Sequence, residues 1–137
     1  MLFLGIDVGS SSVKLSVLGG VTGKSLGALS HPESELAIDS PAVGFAEQNP
    51  DTWWDCVRQG LVRLAARDQI KLDQIDAIGI SYQMHGLVVV DSNQQVLRPS
   101  IIWCDSRSVP LGEQALADLG RDYCFDLLLN SPGNFTA

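Results

Sequence analysis

Gly5-Ile6-Asp7-Val8-Gly9-Ser10-Ser11-Ser12-Val13-Lys14 is the stretch on which the reading of this chain turns. Leu2, Phe3, Leu4 and Ile6 form a short apolar run, and Val13, Leu15, Val17 and Leu18 form the next. Two strands joined by a tight turn are therefore expected. Between the runs sit a carboxylate, glycines and three hydroxyls. Glycine lets a backbone approach a ligand closely, and successive amides in such a turn can cradle phosphate oxygens. An Asp beside a phosphate is unfavourable unless a positive charge lies between them, usually Mg²⁺. One reading is thus a metal–nucleotide site at Asp7, Gly9, Ser10, Ser11 and Ser12. The other is a plain hairpin whose Asp and Ser side chains satisfy the turn. These ten residues leave both open.

Two other phosphate-binding loops do not fit. A dinucleotide loop needs G-x-G-x-x-G between a strand and a helix, whereas Gly5 and Gly9 are too far apart and the alternation of Val13, Leu15 and Val17 continues as strand. Gly19-Gly20-Val21-Thr22-Gly23-Lys24-Ser25 falls one residue short of G-x-x-x-x-G-K-[ST]. It also lacks the following helix that would receive the phosphates. It reads as a hairpin turn.

A chain of 137 residues is normally one domain, able to bury roughly two-thirds of its unfolded surface. Mean hydropathy is +0.14 and 45% of residues are hydrophobic, as in a globular, core-rich chain. No apolar run approaches the roughly 20 residues that span a bilayer. Asp7 interrupts the first apolar stretch, and no basic leader precedes it, so a secretory signal is not expected. The net charge of −7 argues against nucleic acid or an anionic membrane as main partner, though not against a nucleotide held by a local loop and metal. Cys56, Cys104 and Cys124 are odd in number and form no C-x-x-C pair, which fits a reduced, cytoplasmic protein. A structural zinc is not expected, because His31 and His85 stand apart from the cysteines.

Strands are expected at 2–8, 13–18 and 26–34, as an antiparallel meander. Residues 35–48 read as a loop. Asn49-Pro50-Asp51 starts a helix, with Asn as cap, Pro at the first helical position and Asp at the positive end. That helix runs to about residue 67, with Trp53, Val57, Leu61 and Leu64 toward the sheet and Arg58, Arg63 and Arg67 toward water. Trp53 and Trp54 read as packing residues, and Cys56 as a core residue. Further strands are expected at 75–82, with Ile78 and Ile80 facing one way, at 87–91 and at 96–103, the last interrupted by Pro99. Helices follow at 109–119 and 123–129. The order β-β-β-α-β is that of a ribonuclease-H-like α/β domain, its mixed sheet a meander extended by a parallel strand after the helix crossover.

A second constellation lies farther along. Ser81-Tyr82-Gln83-Met84-His85-Gly86 falls at a strand end, where α/β folds place ligands. Trp103-Cys104-Asp105-Ser106-Arg107 brings an aromatic face, a carboxylate and a guanidinium together, groups suited to the apolar faces and hydroxyls of a sugar. On its own, the second motif reads first as Asp105 capping the next helix and Arg107 pairing locally with Asp105.

Taken in series, the Gly5–Lys14 stretch, Glu47-Gln48-Asn49-Pro50-Asp51-Thr52-Trp53-Trp54, Gln83-Met84-His85-Gly86 and Leu97-Arg98-Pro99-Ser100-Ile101-Ile102-Trp103-Cys104-Asp105-Ser106-Arg107 resemble the N-terminal portion of the FGGY carbohydrate kinases. Gln-Met-His-Gly resembles the form seen in the xylulokinase branch. Gly133-Asn134-Phe135-Thr136-Ala137 is similar to a Gly-Phe-Thr-Ala stretch of the family. The resemblance spans essentially the whole chain and implies the fold of the actin, hexokinase and heat-shock chaperone superfamily. It also implies ATP-dependent phosphorylation of a sugar hydroxyl, with D-xylulose first among substrates and ATP and Mg²⁺ as cofactors. By resemblance, Asp7 is the metal-associated carboxylate, with Gly9, Ser10, Ser11, Ser12 and Lys14 around the phosphates. Gln83, Met84, His85 and Gly86 would contact the sugar, with Trp103, Asp105 and Arg107 beside it. Position 104 departs from the pattern, since many members of that branch carry Asn before this Asp.

Family members are several-fold longer. Their general-base Asp and adenine-binding motif lie beyond residue 137, so this chain is expected to be the first part of the N-terminal domain, to carry no catalytic base and to be inactive alone. Other readings are an FGGY kinase for gluconate or glycerol, and a non-catalytic binding or assembly module. In the last case the unfinished sheet favours self-association, such as a homodimer, because Phe125, Leu127, Leu128 and Leu129 would lack packing partners.

Overall fold

Strand β1 (Leu2–Val8) turns through Gly9–Ser12 into β2 (Val13–Gly19), and β2 turns into β3 (Ser25–His31), in the computed structural model, which describes residues 1–133. The Asn-Phe-Thr-Ala end of the family-like stretch lies outside the described residues. Two short antiparallel strands, β4 (Glu47–Gln48) and β6 (Ser100–Ile101), and one long strand, β5 (Ile75–Tyr82), complete the β structure. The helices are α1 (Pro50–Asp68), α2 (Val109–Leu119) and α3 (Arg121–Leu128), and a 3-10 turn covers Leu72–Gln74.

The chain divides into two units. The first holds Met1–Ala37 and Pro50–Gln83. Its sheet has the order β3-β2-β1-β5, antiparallel except for the parallel pair β1–β5. This is the expected β-β-β-α-β arrangement, with α1 as the crossover. The alternation of side chains in strands sends Leu4, Ile6, Val13, Leu15 and Val17 to one face, where they form the core with Cys56, Val57 and Leu64 of α1. Burial pushes the Cys56 thiol pKa up. The helix comes close because Gly60 faces the sheet, where an added Cβ would lie 2.7 Å from Leu15 Cδ1. Residues 19–25 are a hairpin turn as expected, closed by the Gly23 N–H donating to Gly19 O at 2.8 Å with Gly23 at φ +67°.

Two local expectations are revised here, and a third holds with a difference in burial. Strand β3 stops at His31, where Pro32 has no N–H to continue the ladder. Trp53 is half-buried, but Trp54 is 61% exposed, because one residue along a helix rotates about 100° away from the sheet. Ile78 and Ile80 do share a face, and they lie opposite Leu4 and Ile6 in register. They are nevertheless 58% and 64% exposed, since α1 packs over β2 and β3.

The second unit holds Ile38–Asn49 and the described residues from Met84 onward. Residues 35–48 are not all loop: Glu47 and Gln48 pair with Ile101 and Ser100, and Asp39 bridges Glu47. The strands expected at 87–91 and 96–103 shrink to single bridges, Leu87 with Ile101 and Val90 with Val96, and to the two residues of β6. Pro99 offers no N–H, and Asp91 Oδ1 accepts the N–H groups of Asn93 and Gln95, both at 2.8 Å, tightening the chain into a turn. Helix α2 has the expected bounds. Helix α3 begins two residues earlier than expected and ends one earlier, at Leu128, capped by Leu129 in the left-handed conformation at φ +56°.

Leu64 is fully buried in the α1–sheet core. Leu64→Ala should lower unfolding free energy by about 2–5 kcal/mol, and Trp54→Ala by no more than about 0.5 kcal/mol. Urea denaturation followed by circular dichroism reads both, and equal effects would contradict the packing described.

Candidate functional site

Asp7 occupies the end of β1, and the two registers of that strand choose its neighbours. Antiparallel pairing sets it opposite Lys14 on β2, and parallel pairing sets it opposite Ser81 on β5. The Ser81 hydroxyl donates to Asp7 Oδ1 at 2.7 Å, and Lys14 Nζ donates to Oδ2 at 3.1 Å. The Ser81 hydrogen bond, followed by that from Lys14, holds the Asp7 carboxyl below its ordinary pKa. A fixed anion at the mouth of a turn results.

The turn itself is tight. The Gly9 N–H donates to Ser12 O at 3.1 Å, and a Cβ at position 9 would sit 3.0 Å from that oxygen and 3.7 Å from Lys14 Nζ. Ser12 Oγ accepts from Ser30 Oγ at 3.0 Å, and Ser11 O accepts the Leu36 N–H at 2.8 Å. Next to Asp7 the same sheet face carries the small groups Gly5, Ser16, Ala28 and Gly79. With Asp7, Lys14, Ser30 and Ser81 they line an open cavity of about 730 Å³. Gln83 ends this unit. Its N–H donates to Val8 O at 2.9 Å, while both polar atoms of its carboxamide are buried without a hydrogen-bond partner among the described residues.

In the second unit a smaller cavity of about 220 Å³ is lined by His85, Ile101, Asp105, Arg107, Ser108 and Leu111, among others. Three residues singled out in the sequence therefore meet. His85 stands in the left-handed region at φ +63°, a conformation uncommon for a residue with a side chain and found preferentially at functional sites. Asp105 is 4% exposed and accepts the Ala46 N–H at 2.7 Å and the Arg107 N–H at 2.9 Å. The Arg107 guanidinium grips the same carboxylate, with Nε at 2.9 Å from both oxygens and Nη2 at 2.7 Å from Oδ2. Burial pushes the Asp105 carboxyl up, but the hydrogen bonds from Arg107 and Ala46 outweigh it and leave the net pKa low. Those to Asp105 raise the pKa of Arg107. The local Asp105–Arg107 pairing read from the sequence is present. The cap is not, since Ser108 holds the position before α2 and makes no side-chain cap bond.

Met84, Gly86 and Trp103 do not line this cavity; Met84 and Trp103 are 63% and 48% exposed. Sequence reasoning assigned no role to Glu47, Arg98 or Phe45, all of which meet the pair. Glu47 Oε1 accepts from Arg98 Nη2 at 2.6 Å and from Arg107 Nη2 at 2.7 Å, and the Arg107 guanidinium lies 3.8 Å from the Phe45 ring centroid. A signal was available: a lone Glu among Phe45, Ala46 and Gln48, followed by two Arg in a later motif, calls for a charge partner if buried.

Residues 2–128 match the model of the FGGY family of carbohydrate kinases, N-terminal domain, and the chain belongs to that family. The resemblance is to the N-terminal portion of xylulose kinases. The xylulose kinase of Escherichia coli K12 is 36% identical over 106 residues, covering 77% of this chain and 21% of that protein. That of Bacillus subtilis 168 is 34% identical over 127 residues, covering 93% of this chain and 24% of that protein. A crystal structure of a xyloylose kinase from Brucella ovis superposes with TM-score 0.87 at 30% identity, covering all of this chain and 27% of the other. The chain thus spans about a quarter of the length of these relatives.

Because Asp7 ionises more readily folded than unfolded, its contribution to stability is complete above the ordinary carboxylate pKa of about 4. That contribution is lost as pH falls through the lowered folded value. Ser81→Ala removes the larger cause and should move the Asp7 midpoint up toward that value. A carboxyl ¹³C NMR titration follows it directly, and an unmoved midpoint would dismiss Ser81 as the cause.

Proposed function

We propose that this chain is the first part of the N-terminal domain of an ATP-dependent sugar kinase that phosphorylates D-xylulose, and that its C-terminal domain lies outside these residues. The carrying observation is the Asp7 constellation: an ionised carboxylate held by Ser81 and Lys14 at the head of a glycine–serine turn. Among the described residues, no group of three or more His, Cys, Asp or Glu is arranged to hold a metal ion. One carboxylate suffices for Mg²⁺, which keeps waters and takes its remaining oxygens from phosphates. Asp7 would hold the ion, and the Gly9–Ser12 turn and Lys14 would meet the phosphates. Bound there, Mg²⁺–ATP supplies the phosphoryl group and neutralises its charge.

The chain's own residues position and exclude. Ser81 and Lys14 keep Asp7 deprotonated and fixed in direction. His85, Asp105 and Arg107 present a hydrogen-bonding wall to sugar hydroxyls in the second unit. Met84, Gly86 and Trp103 belong to the same reading as outer contacts. The Gln83 carboxamide fits a ligand-contacting role, because a buried amide without partners costs about 1–3 kcal/mol until something bonds it. No residue of this chain is assigned as general base. Gluconate and glycerol are not favoured, since both curated relatives named above are xylulose kinases. Among the described residues, no helix is long and apolar enough to cross a membrane; the free cysteines Cys56, Cys104 and Cys124 support a reducing, cytoplasmic setting, and the acidic balance speaks against nucleic acid as partner. A homodimer belongs to the other reading, a non-catalytic assembly module in which the exposed Phe125, Leu127, Leu128 and Leu129 pack against a second copy.

In the intact protein carrying this chain, Asp7→Ala should lower kcat on D-xylulose by about 10²-fold or more. Its sugar Kd should change by less than about threefold. Steady-state kinetics and calorimetry separate the two, and weakened sugar binding with full turnover would refute the assignment. The 137-residue chain alone should transfer no phosphate from ATP to the sugar.

A further inference from the structure

We propose that Glu47 is a positioning residue of the sugar pocket, acting through Arg107, and that Phe45-Ala46-Glu47 is the element that orients the Asp105–Arg107 wall. The inference rests on the pocket reading above and adds to it a residue that touches no sugar. Glu47 does not line the cavity. It stands behind it, 9% exposed, in the short strand β4, and pairs in register with Ile101, which does line it.

Three consecutive residues hold the wall by three different means. The Phe45 ring lies under the Arg107 guanidinium at 3.8 Å, the Ala46 N–H bonds Asp105 Oδ2 at 2.7 Å, and Glu47 Oε1 takes Arg107 Nη2 at 2.7 Å. An arginine has several rotatable bonds, so a single carboxylate partner leaves its plane free to swing. A second carboxylate on the same Nη2 and an aromatic face beneath it remove that freedom. Arg98 Nη2, 2.6 Å from the same Glu47 oxygen, balances the charge, so two acids face two arginines. Breaking one partner of such a cluster leaves a charge uncompensated. The wall would then lose its geometry before the fold loses its core, which lies in the other unit.

The test uses the intact kinase carrying this chain and D-xylulose as probe. Glu47→Gln keeps the shape and removes the charge. It should raise the sugar KM about tenfold, the worth of one charged hydrogen bond. It should leave kcat within about twofold and the ATP KM unchanged. A purely structural role predicts a lower melting temperature and equal loss of active protein for both substrates, with KM values intact, and that result overturns the proposal. Should Glu47→Gln not fold, Phe45→Leu keeps the apolar volume and removes only the ring face. It should raise the sugar KM about threefold, and an unchanged KM overturns the proposal as well. His85→Asn, which suits the left-handed backbone, separates the two levels. If it leaves sugar KM unaltered, the pocket reading itself falls. If it raises KM while Glu47→Gln does not, the pocket stands and the role of Glu47 is overturned.

Discussion

Strand β1 is hydrogen-bonded on both sides, antiparallel to β2 and parallel to β5, and most of the first unit is a consequence. An antiparallel neighbour can be reached by a tight turn, and the Gly9–Ser12 turn does so. A parallel neighbour cannot, because the chain must travel back along the strand before pairing again. Helix α1 makes that return, and its Cys56–Leu64 stripe covers the apolar face of the meander on the way. The same double pairing gives Asp7 two cross-strand neighbours, one from each register. The site is therefore built by backbone hydrogen bonding, with the side chains of Lys14 and Ser81 carried to their places.

The second unit solves a different problem. Its strands β4 and β6 are two residues each, too short for a ladder to fix a cavity wall. The wall is held by charge. Asp105 and Glu47 are buried acids, and burial of a carboxylate is expensive unless it is paired and hydrogen-bonded. Arg107 and the Ala46 N–H meet Asp105, while Arg98 and Arg107 meet Glu47. Each polar contact is a condition for burying the next, so the cluster forms as a whole.

Long strands and helices with a steady period were legible because their signal is local. The bounds of β1, β5 and α2 follow from apolar spacing and from Pro and Gly punctuation. The runs at 87–91 and 96–103 were not, because a strand exists only where a partner's N–H and C=O groups line up, and Pro99 and the Asp91 turn leave single bridges. Trp54 shows the same limit: its hydrophobicity is local, while its 61% exposure depends on which way the helix lies. Among site residues, Asp7, His85, Asp105 and Arg107 were visible as motifs. Glu47 was visible only as part of a family pattern, since its role depends on residues 51 and 60 positions farther along.

By itself the sequence determined the order of elements, the turn at Asp7 and membership of a sugar-kinase family. Those depend on residue types at short spacings and on motifs in series. The tertiary structure alone decided that Ser81, 74 residues from Asp7, bonds its carboxylate, and that Glu47 stands behind Arg107. The reason is physical: hydrogen bonds and ion pairs form between groups within about 3 Å, and only the folded backbone brings such distant residues that close.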